Sequence, residues 1–563
     1  MIESSFKPWG YLVPEKDRRM GFIALLFVSV GGILGSGWLF GPLYAAQLAG
    51  PSALIAWVIG GFAIMVIALN FAELGAMLPL NGGITRYALL TYGRTVGFVA
   101  SLSSWLTFTV IVAAEVQAVL QYLSIYFPWL TENVTGGAGK VTTHPLSFPA
   151  GFLCAAALWI LFSLINWRGI HFFARINNGL TWIKIGLVIT VTVALFALSF
   201  SWDVFDDPKE GGFFPEGWHG IFQALAYGGV IYAFTGFQHA AIAAGESKNP
   251  HRDVPIAVLA SIFFCLLCYL ALQFAFIGGL REVTFSAPGD WNNLQFEDQV
   301  GPIAGLVKSL GVIWLFYLVL GGAIASPLGA GLINLGSSMR IAQGMSHDRY
   351  LPPRLSRTGK HGTPGLIIML SFPIGLFLFL PFPGWQALVA FLTSVVVLAY
   401  AIGPLSVLAL REQLPDLKRP FRLWFASFFC PLAFVICGFL IFWTGWAIVW
   451  KLGLVFSVSG CLFMTTNLLR GQPMDLRCAS WLVPFLGGIV LITWLSSDQG
   501  THWLSATQAI LAVAAVSLGS FYFARRLTIP SAETRQYFAQ IEAARLEELE
   551  EQNPDDAAFL DVK

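Results

Sequence analysis

Gly31-Gly32-Ile33-Leu34-Gly35-Ser36-Gly37 interrupts an apolar run that extends from about residue 21 to 47. Four glycines in seven residues make a poor helix, since each costs about 1 kcal/mol relative to alanine. A lipid-facing position cannot accommodate that weakness, because unpaired N–H and C=O groups in hydrocarbon cost several kcal/mol each. The weak point therefore has to face protein or a solvated cavity. Free amides and carbonyls at that depth are what a transporter uses to hold a polar solute.

The rest of the composition sets the environment. Of 563 residues, 56% are hydrophobic and only 11% are charged, against roughly 25% charged in soluble proteins. Mostly apolar windows long enough to cross a bilayer recur throughout. A formal charge of +1 argues against a nucleic-acid partner, which calls for a basic patch. The cysteines lie mostly inside apolar runs and read as small hydrophobes. Cys265 and Cys268 form a CxxC pair with no second pair to complete a metal site, so neither metal nor cofactor is expected. Eight scattered histidines without HExxH-like spacing argue against a membrane enzyme. A channel would need a pore-lining ring or repeated filter, and neither is present.

Hydropathy gives about 14 spans: 21–47, 52–78, 96–127, 148–167, 173–200, 219–245, 253–280, 304–343, 364–381, 384–410, 422–447, 450–469, 478–497 and 504–526. The eighth run is too long for one span and is expected to continue as a cytoplasmic helix. The first apolar stretch is too long for a signal-peptide core and is expected to remain as the first span. Alternate loops carry the positive charge, including Arg86 and Arg94, Arg168 and Arg175, Lys248 and Arg252, and Arg349 to Lys360. The opposite loops hold little beyond Lys140, Lys209, Arg281 and Lys451. This asymmetry predicts cytoplasmic termini in the inner (plasma) membrane. Asn133-Val134-Thr135 is a minimal glycosylation sequon. The Glu- and Ala-rich tail after Pro530 predicts a surface helix ending near Pro554.

A second weak point lies in the sixth run, at Tyr227-Gly228-Gly229 and Tyr232-Ala233-Phe234-Thr235-Gly236-Phe237. Interruptions five spans apart fit a five-helix unit repeated with inverted topology, each unit lending a broken helix to one site. The Ser36 and Gly37 amides, after Gly35, would attract a carboxylate. Carbonyls at Ile33 and at Tyr232, Ala233, Phe234 and Thr235 would accept from an ammonium, so a zwitterion fits between the two breaks. Close helix packing at small residues is the competing reading.

The quoted motifs resemble the amino acid–polyamine–organocation (APC) superfamily. Gly32-Ile33-Leu34-Gly35-Ser36-Gly37 is similar to its span-one signature. Ala72-Glu73-Leu74-Gly75-Ala76-Met77-Leu78-Pro79 with Gly82-Gly83, the Ala233–Phe237 core, Gly245-Glu246-Ser247-Lys248-Asn249-Pro250, and Arg340 with Met345, Asp348, Leu351 and Pro352 follow in order. Within the superfamily the pattern looks most like bacterial aspartate–proton symporters. The resemblance implies an all-α LeuT-like 5+5 inverted-repeat bundle with spans one and six broken. It implies a cytoplasmic segment 1–20, a transport core 21–410, four accessory spans at 411–526 and an acidic cytoplasmic tail 527–563. The implied function is proton-coupled amino acid uptake, of which aspartate is an example. A sodium-independent amino acid or amine exchanger is the alternative.

Two charges inside spans stand out. Lys184, in Thr181-Trp182-Ile183-Lys184-Ile185-Gly186, is a functional candidate by its depth alone. It matches the family's span-five lysine, which takes the place of a coupling sodium; it reads either as a proton carrier or as a fixed strut to span one. Glu115 has no cation among its sequence neighbours and reads as a proton carrier, a ligand for a substrate amine, or a packed carboxyl. Gln238 stands where some relatives have a glutamate used in proton sensing, and His239 beside it could titrate or simply bond a carbonyl. Glu73, Glu246, Arg340 and Asp348 are candidate inner-gate charges. Tyr232, Phe234 and Phe237 are candidate outer-lid aromatics. Lys184 is the only basic residue clearly deep in a pocket-lining span, which weighs against a second substrate carboxylate.

Overall fold

The computed structural model describes residues 20–552 except 81–82, 133, 137–139, 169, 207–210, 283–290, 295, 297–300, 358–362 and 498–499. The N-terminal segment 1–19, Gly82, Asn133, Lys209, Lys360 and Pro554 fall outside the described residues.

The first apolar run is two helices, not one. α1 (Phe22–Ile33) stops, and α2 (Gly37–Ala49) starts after a three-residue gap. A short 3-10 turn with Gly50 at φ +58° leads to α3 (Ala53–Met77). α4 (Gly83–Leu123) turns sharply at Gly93, whose φ of +78° no L side chain adopts easily. A hairpin of β1 (Val134–Gly136) and β2 (Lys140–Thr143) follows, then α5 (Ala150–Trp167) and α6 (Ile170–Ser199).

The sixth run is broken twice. α7 (Gly217–Ala226) ends before Gly229, which sits at φ +85° and starts the single turn α8 (Val230–Ala233). Phe234 to Phe237 are irregular, and α9 (Gln238–Ile242) resumes the path. Then come α10 (Pro250–Gly278), α11 (Pro302–Ser309), α12 (Ile313–His347), α13 (Gly365–Leu378) and α14 (Gly384–Gln413). The long run at 304–343 thus divides at Leu310–Val312, where Gly311 takes φ +70°. Hydropathy averages over that single glycine and joins the two pieces. The chain closes with α15 (Ala426–Phe442), α16 (Trp446–Arg470), α17 (Leu476–Ala479), α18 (Gly488–Ser496), α19 (Ala506–Arg525) and α20 (Ser531–Gln552).

This is an all-α, multi-pass membrane protein. Among the described residues ten helical stretches are long and apolar enough to cross a bilayer, one of them the joined α2–α3 segment; α1, α13 and α15 are shorter apolar helices. α4 lies against α12 and α14, α3 against α10, and α1 against α6, α9, α10 and α12. α14 is buried along its whole apolar window. α15 joins it to α19, and α20 is anchored where Ile529 N–H donates to Thr91 O at 3.0 Å.

Charges cluster at the end of the bundle where α1 begins. Glu73, 1% exposed, accepts from Arg411 Nε at 2.9 Å, Arg411 Nη2 at 2.6 Å and Leu423 N–H at 2.7 Å. Removing one partner of such a pair costs about 3–5 kcal/mol, because the other charge stays buried. Arg411→Met should therefore lower the midpoint of thermal unfolding in detergent by several degrees. Adding Glu73→Gln should recover part of the loss, read by intrinsic fluorescence; an unchanged midpoint for the single variant would show the pair to be structurally idle.

Candidate functional site

An interrupted helix exposes carbonyls at the end of its first half and amides at the start of its second. In α1 and α2 both ends are answered by the chain's own charges. Lys184 Nζ, fully buried on α6, donates to Gly31 O at 2.8 Å. Ser36, whose side chain does not cap α2, donates its N–H to both oxygens of Glu115 on α4, at 3.1 and 2.9 Å. A cation thus sits on the negative end of one half-helix and an anion on the positive end of the next, both favourable placements.

The remaining groups form a continuous network. Tyr232 hydroxyl donates to Glu115 Oε1 at 2.7 Å and lies 3.0 Å from Ser36 Oγ, which also accepts from Trp385 Nε1 at 2.8 Å. Ser326 Oγ lies within donating distance of Leu34 O and Gly35 O, at 2.9 and 3.0 Å, and accepts from Trp38 Nε1 at 3.0 Å. Tyr269 hydroxyl reaches one carbonyl from each broken segment, Ile33 O at 3.1 Å and Ala233 O at 2.9 Å. A hydroxyl has one proton, so it satisfies only one of those carbonyls at a time.

The two breaks touch. A Cβ on Gly37 would lie 2.9 Å from Ala233 Cβ, and one on Gly236, at φ +147°, would lie 2.5 Å from Ile33 N. A Cβ on Gly35 would meet the Glu115 carboxylate. Glycine at these three positions is what permits the approach. The site is closed on both sides. Phe40, Tyr44 and Tyr232 gather around Trp385, with centroids 4.7, 5.6 and 5.4 Å away. Toward the α1 end stand Glu246–Arg340 at 3.6 Å and the Arg86–Asp348 pair.

The sequence-chosen residues divide accordingly. Ile33, Gly35, Ser36, Gly37, Tyr232, Ala233, Glu115 and Lys184 come together at the breaks. Thr235 Oγ1 turns back to Ile231 O at 3.3 Å, and Phe234 packs between Trp57 and Tyr269. Phe237 ends the second break, against Phe71 and Tyr400, and not with Tyr232 near Trp385. Of the gate charges, Glu246 and Arg340 face each other, while Glu73 pairs with Arg411 and Asp348 with Arg86. Sequence reasoning missed Tyr269, Ser326, Trp385 and Arg411. Arg411 alone left a signal, as a basic residue ending an apolar span. Among the described residues no three His, Cys, Asp or Glu side chains gather as a metal requires.

Residues 20–450 match the amino acid permease family. The chain is 33% identical over 529 residues to the aspartate-proton symporter of Bacillus subtilis (strain 168), covering 92% of this chain and 98% of that protein. It is 31% identical over 520 residues to the glutamate/serine transporter AimA of the same organism, covering 91% and 94%. The branched-chain amino acid permease BcaP of that organism is 27% identical over 456 residues, covering 78% and 92%.

Tyr269→Phe would remove the one proton that Ile33 O and Ala233 O share, the loss of a buried hydrogen bond costing about 1–3 kcal/mol. The variant should melt several degrees lower than the parent in detergent. Tyr317→Phe, at an exposed position on α12, should not; equal midpoints for the two would deny Tyr269 its bridging role.

Proposed function

From the premise that this chain belongs to the amino acid permease family of the APC superfamily, and so is a secondary active amino acid transporter, we propose that it takes up an acidic amino acid such as aspartate together with a proton. The observation that carries the proposal is the Glu115 carboxylate on the Ser36 amide. That amide is where a substrate α-carboxylate would bind, and two carboxylates cannot share one donor. Substrate therefore enters as Glu115 takes a proton and withdraws, which links the two binding events. The substrate ammonium takes the lone pair that Tyr269 leaves open on Ile33 or Ala233.

Charge balance bears on the substrate. With Lys184 protonated and Glu115 ionised, the empty site is neutral. A protonated Glu115 with a singly anionic dicarboxylic amino acid is neutral again, whereas a neutral amino acid leaves a net positive charge in a low-dielectric site. An acidic amino acid stands in the names of both the aspartate-proton symporter and the glutamate/serine transporter, the second of which also carries the neutral serine. Lys184, held on Gly31 O, supplies the fixed cation near the break that makes a sodium ion unnecessary.

On this reading the chain crosses the membrane fourteen times, with α1/α2 and α7–α9 opening two inverted five-helix units in a core over 21–410. Four accessory spans (411–526) and a cytoplasmic tail (527–563) follow. The charge asymmetry of the loops supports cytoplasmic termini in the plasma membrane. The pairs at Glu73, Glu246 and Asp348 then belong to the inner gate, and the aromatics around Trp385 to the outer lid.

Uptake of radiolabelled aspartate and leucine into proteoliposomes tests the proposal. Aspartate should accumulate only under an inward proton gradient and leucine much less; no aspartate uptake under any gradient overturns it. Glu115→Gln should retain exchange that no longer responds to pH, while gradient-driven accumulation falls to passive equilibration. Lys184→Ala should also abolish accumulation, and undiminished accumulation in either variant removes that residue from the coupling mechanism.

A further inference from the structure

The transport reading leaves the last part of the chain without a task, yet that part completes another interrupted helix. α4 turns at Gly93, so its first half (residues 83–92) ends in carbonyls and its second half begins in amides that need outside partners. Asp475, the residue before α17, answers the second half: its Oδ2 accepts from Arg94 N–H at 2.7 Å. Only glycine fits beside it, since a Cβ on Gly93 would lie 2.1 Å from that oxygen. The start of the tail answers the first half. Ile529 N–H donates to Thr91 O at 3.0 Å. Thr534 Oγ1, fully buried in the first turn of α20, donates to Leu90 O at 3.3 Å. Gln413 Nε2 on α14 fixes this donor segment in turn, bonding Ile529 O at 2.9 Å.

The first half of α4 also joins two elements at the α1 end of the bundle. Its Gly83 stands against α9, where a Cβ would lie 2.8 Å from Ala241 O. Its Arg86 pairs with Asp348, which follows α12, and both side chains are buried. The exposed Glu246–Arg340 pair makes a second connection between the same two elements. When that weak pair parts, residues 83–92 still bridge α9 and α12. Their far end is held by the tail, and Gly93, at φ +78°, separates them from the part of α4 that Asp475 holds.

We propose that residues 529–534 are a latch: by holding Leu90 O and Thr91 O they keep the first half of α4 braced across α9 and α12, and so keep the α1 end closed. The inference rests on the transport reading above and gives the C-terminal helix a regulatory part in it. Opening swings residues 83–92 about Gly93 and takes the two carbonyls off their donors. The strength of the latch therefore sets how often the form open at the α1 end is reached.

The test compares the two sides of the membrane in one preparation. Proteoliposomes exchange radiolabelled aspartate against unlabelled aspartate, with its concentration varied outside in one series and inside in another. Oriented reconstitution is checked by protease accessibility. A half-saturation constant varies inversely with the fraction of protein in the form open to that side. Thr534→Val keeps the shape and removes the donor. It should raise the ratio of the constant on the side away from the α1 end to that on the α1 side about fivefold, the effect of one hydrogen bond. Thr534→Ser keeps the hydroxyl and should leave the ratio near the parent's. Gln413→Met, which frees Ile529 O from α14, should move the ratio in the same direction as Thr534→Val. A variant that only loses active protein lowers the maximal rate and leaves the ratio alone, so an unchanged ratio overturns the latch while leaving the transport reading intact. A shift in the opposite direction, or an equal shift in Thr534→Ser, overturns it too. Absence of exchange by the unmodified protein overturns the transport reading, and the latch with it.

Discussion

The break between Ile33 and Gly37 is tolerable in a membrane only because protein groups replace the hydrogen bonds that the helix gives up. The cost of leaving them unmet, several kcal/mol for each buried polar group, exceeds what any single packing contact returns. So the surrounding helices are arranged around that requirement. α6 brings Lys184 to Gly31, α10 brings Tyr269 to Ile33, α12 brings Ser326 to Leu34 and Gly35, and α4 brings Glu115 to Ser36. α14 adds Trp385 behind Ser36. Five helices converge on the three-residue gap and the helix turns on either side of it.

The same requirement makes the site both closed and replaceable. The partners that reach the break from other helices are side chains, able to leave if something of like chemistry takes their place. On the proposed transport reading, a substrate carboxylate would stand for Glu115, and an ammonium would take the share of a carbonyl that one tyrosine proton does not cover. A site completed by backbone from another segment would lack that property. Exchange of like for like keeps the energetic gap between empty and loaded forms small, as a cycling carrier needs.

Local features were legible in the sequence and distant pairings were not. The glycines at 31, 32, 35 and 37 mark their own break, because helix failure depends on neighbouring residues. Lys184 and Glu115 stand out because a charge in an apolar run needs a reason. Tyr269, Ser326 and Trp385 carry no such mark in a chain with 48 Phe, 20 Trp and 14 Tyr, and hydroxyls and rings are ordinary in membrane cores. Glu73 illustrates the second limit. Its charge and its place at a span end could be read, yet its partner Arg411 lies 338 positions away, and only the packing of α3 with α14 selects it over Arg340. Phe237 shows a third limit: at the end of the second interruption, the direction of a side chain depends on the φ of the preceding Gly236, which sequence does not give.

The ion pairs at the α1 end are unequal, and the inequality suggests which part moves. Glu73 and Asp348 are held by arginines in buried surroundings, with side chains 1% and 7% exposed, whereas Arg340 and Glu246 are 40% and 21% exposed and 3.6 Å apart. An exposed pair contributes about 0–1 kcal/mol and a buried one several times more once a partner is removed. The chain before α1 is tied to the same spot by Met20, which donates to Glu246 O at 3.1 Å and accepts from Lys248 N–H at 2.9 Å. α1 has twelve residues and is fully buried mainly in its second half. It is fastened at its far end by Lys184, while Glu115 grips α2 on the other side of the gap. Parting the weak pair would free the Glu246–Lys248 segment from α12. α1, bonded to that segment through Met20, would move with it while Glu115 holds α2. On the proposed transport reading, the gap at Leu34–Ser36 would then be the hinge.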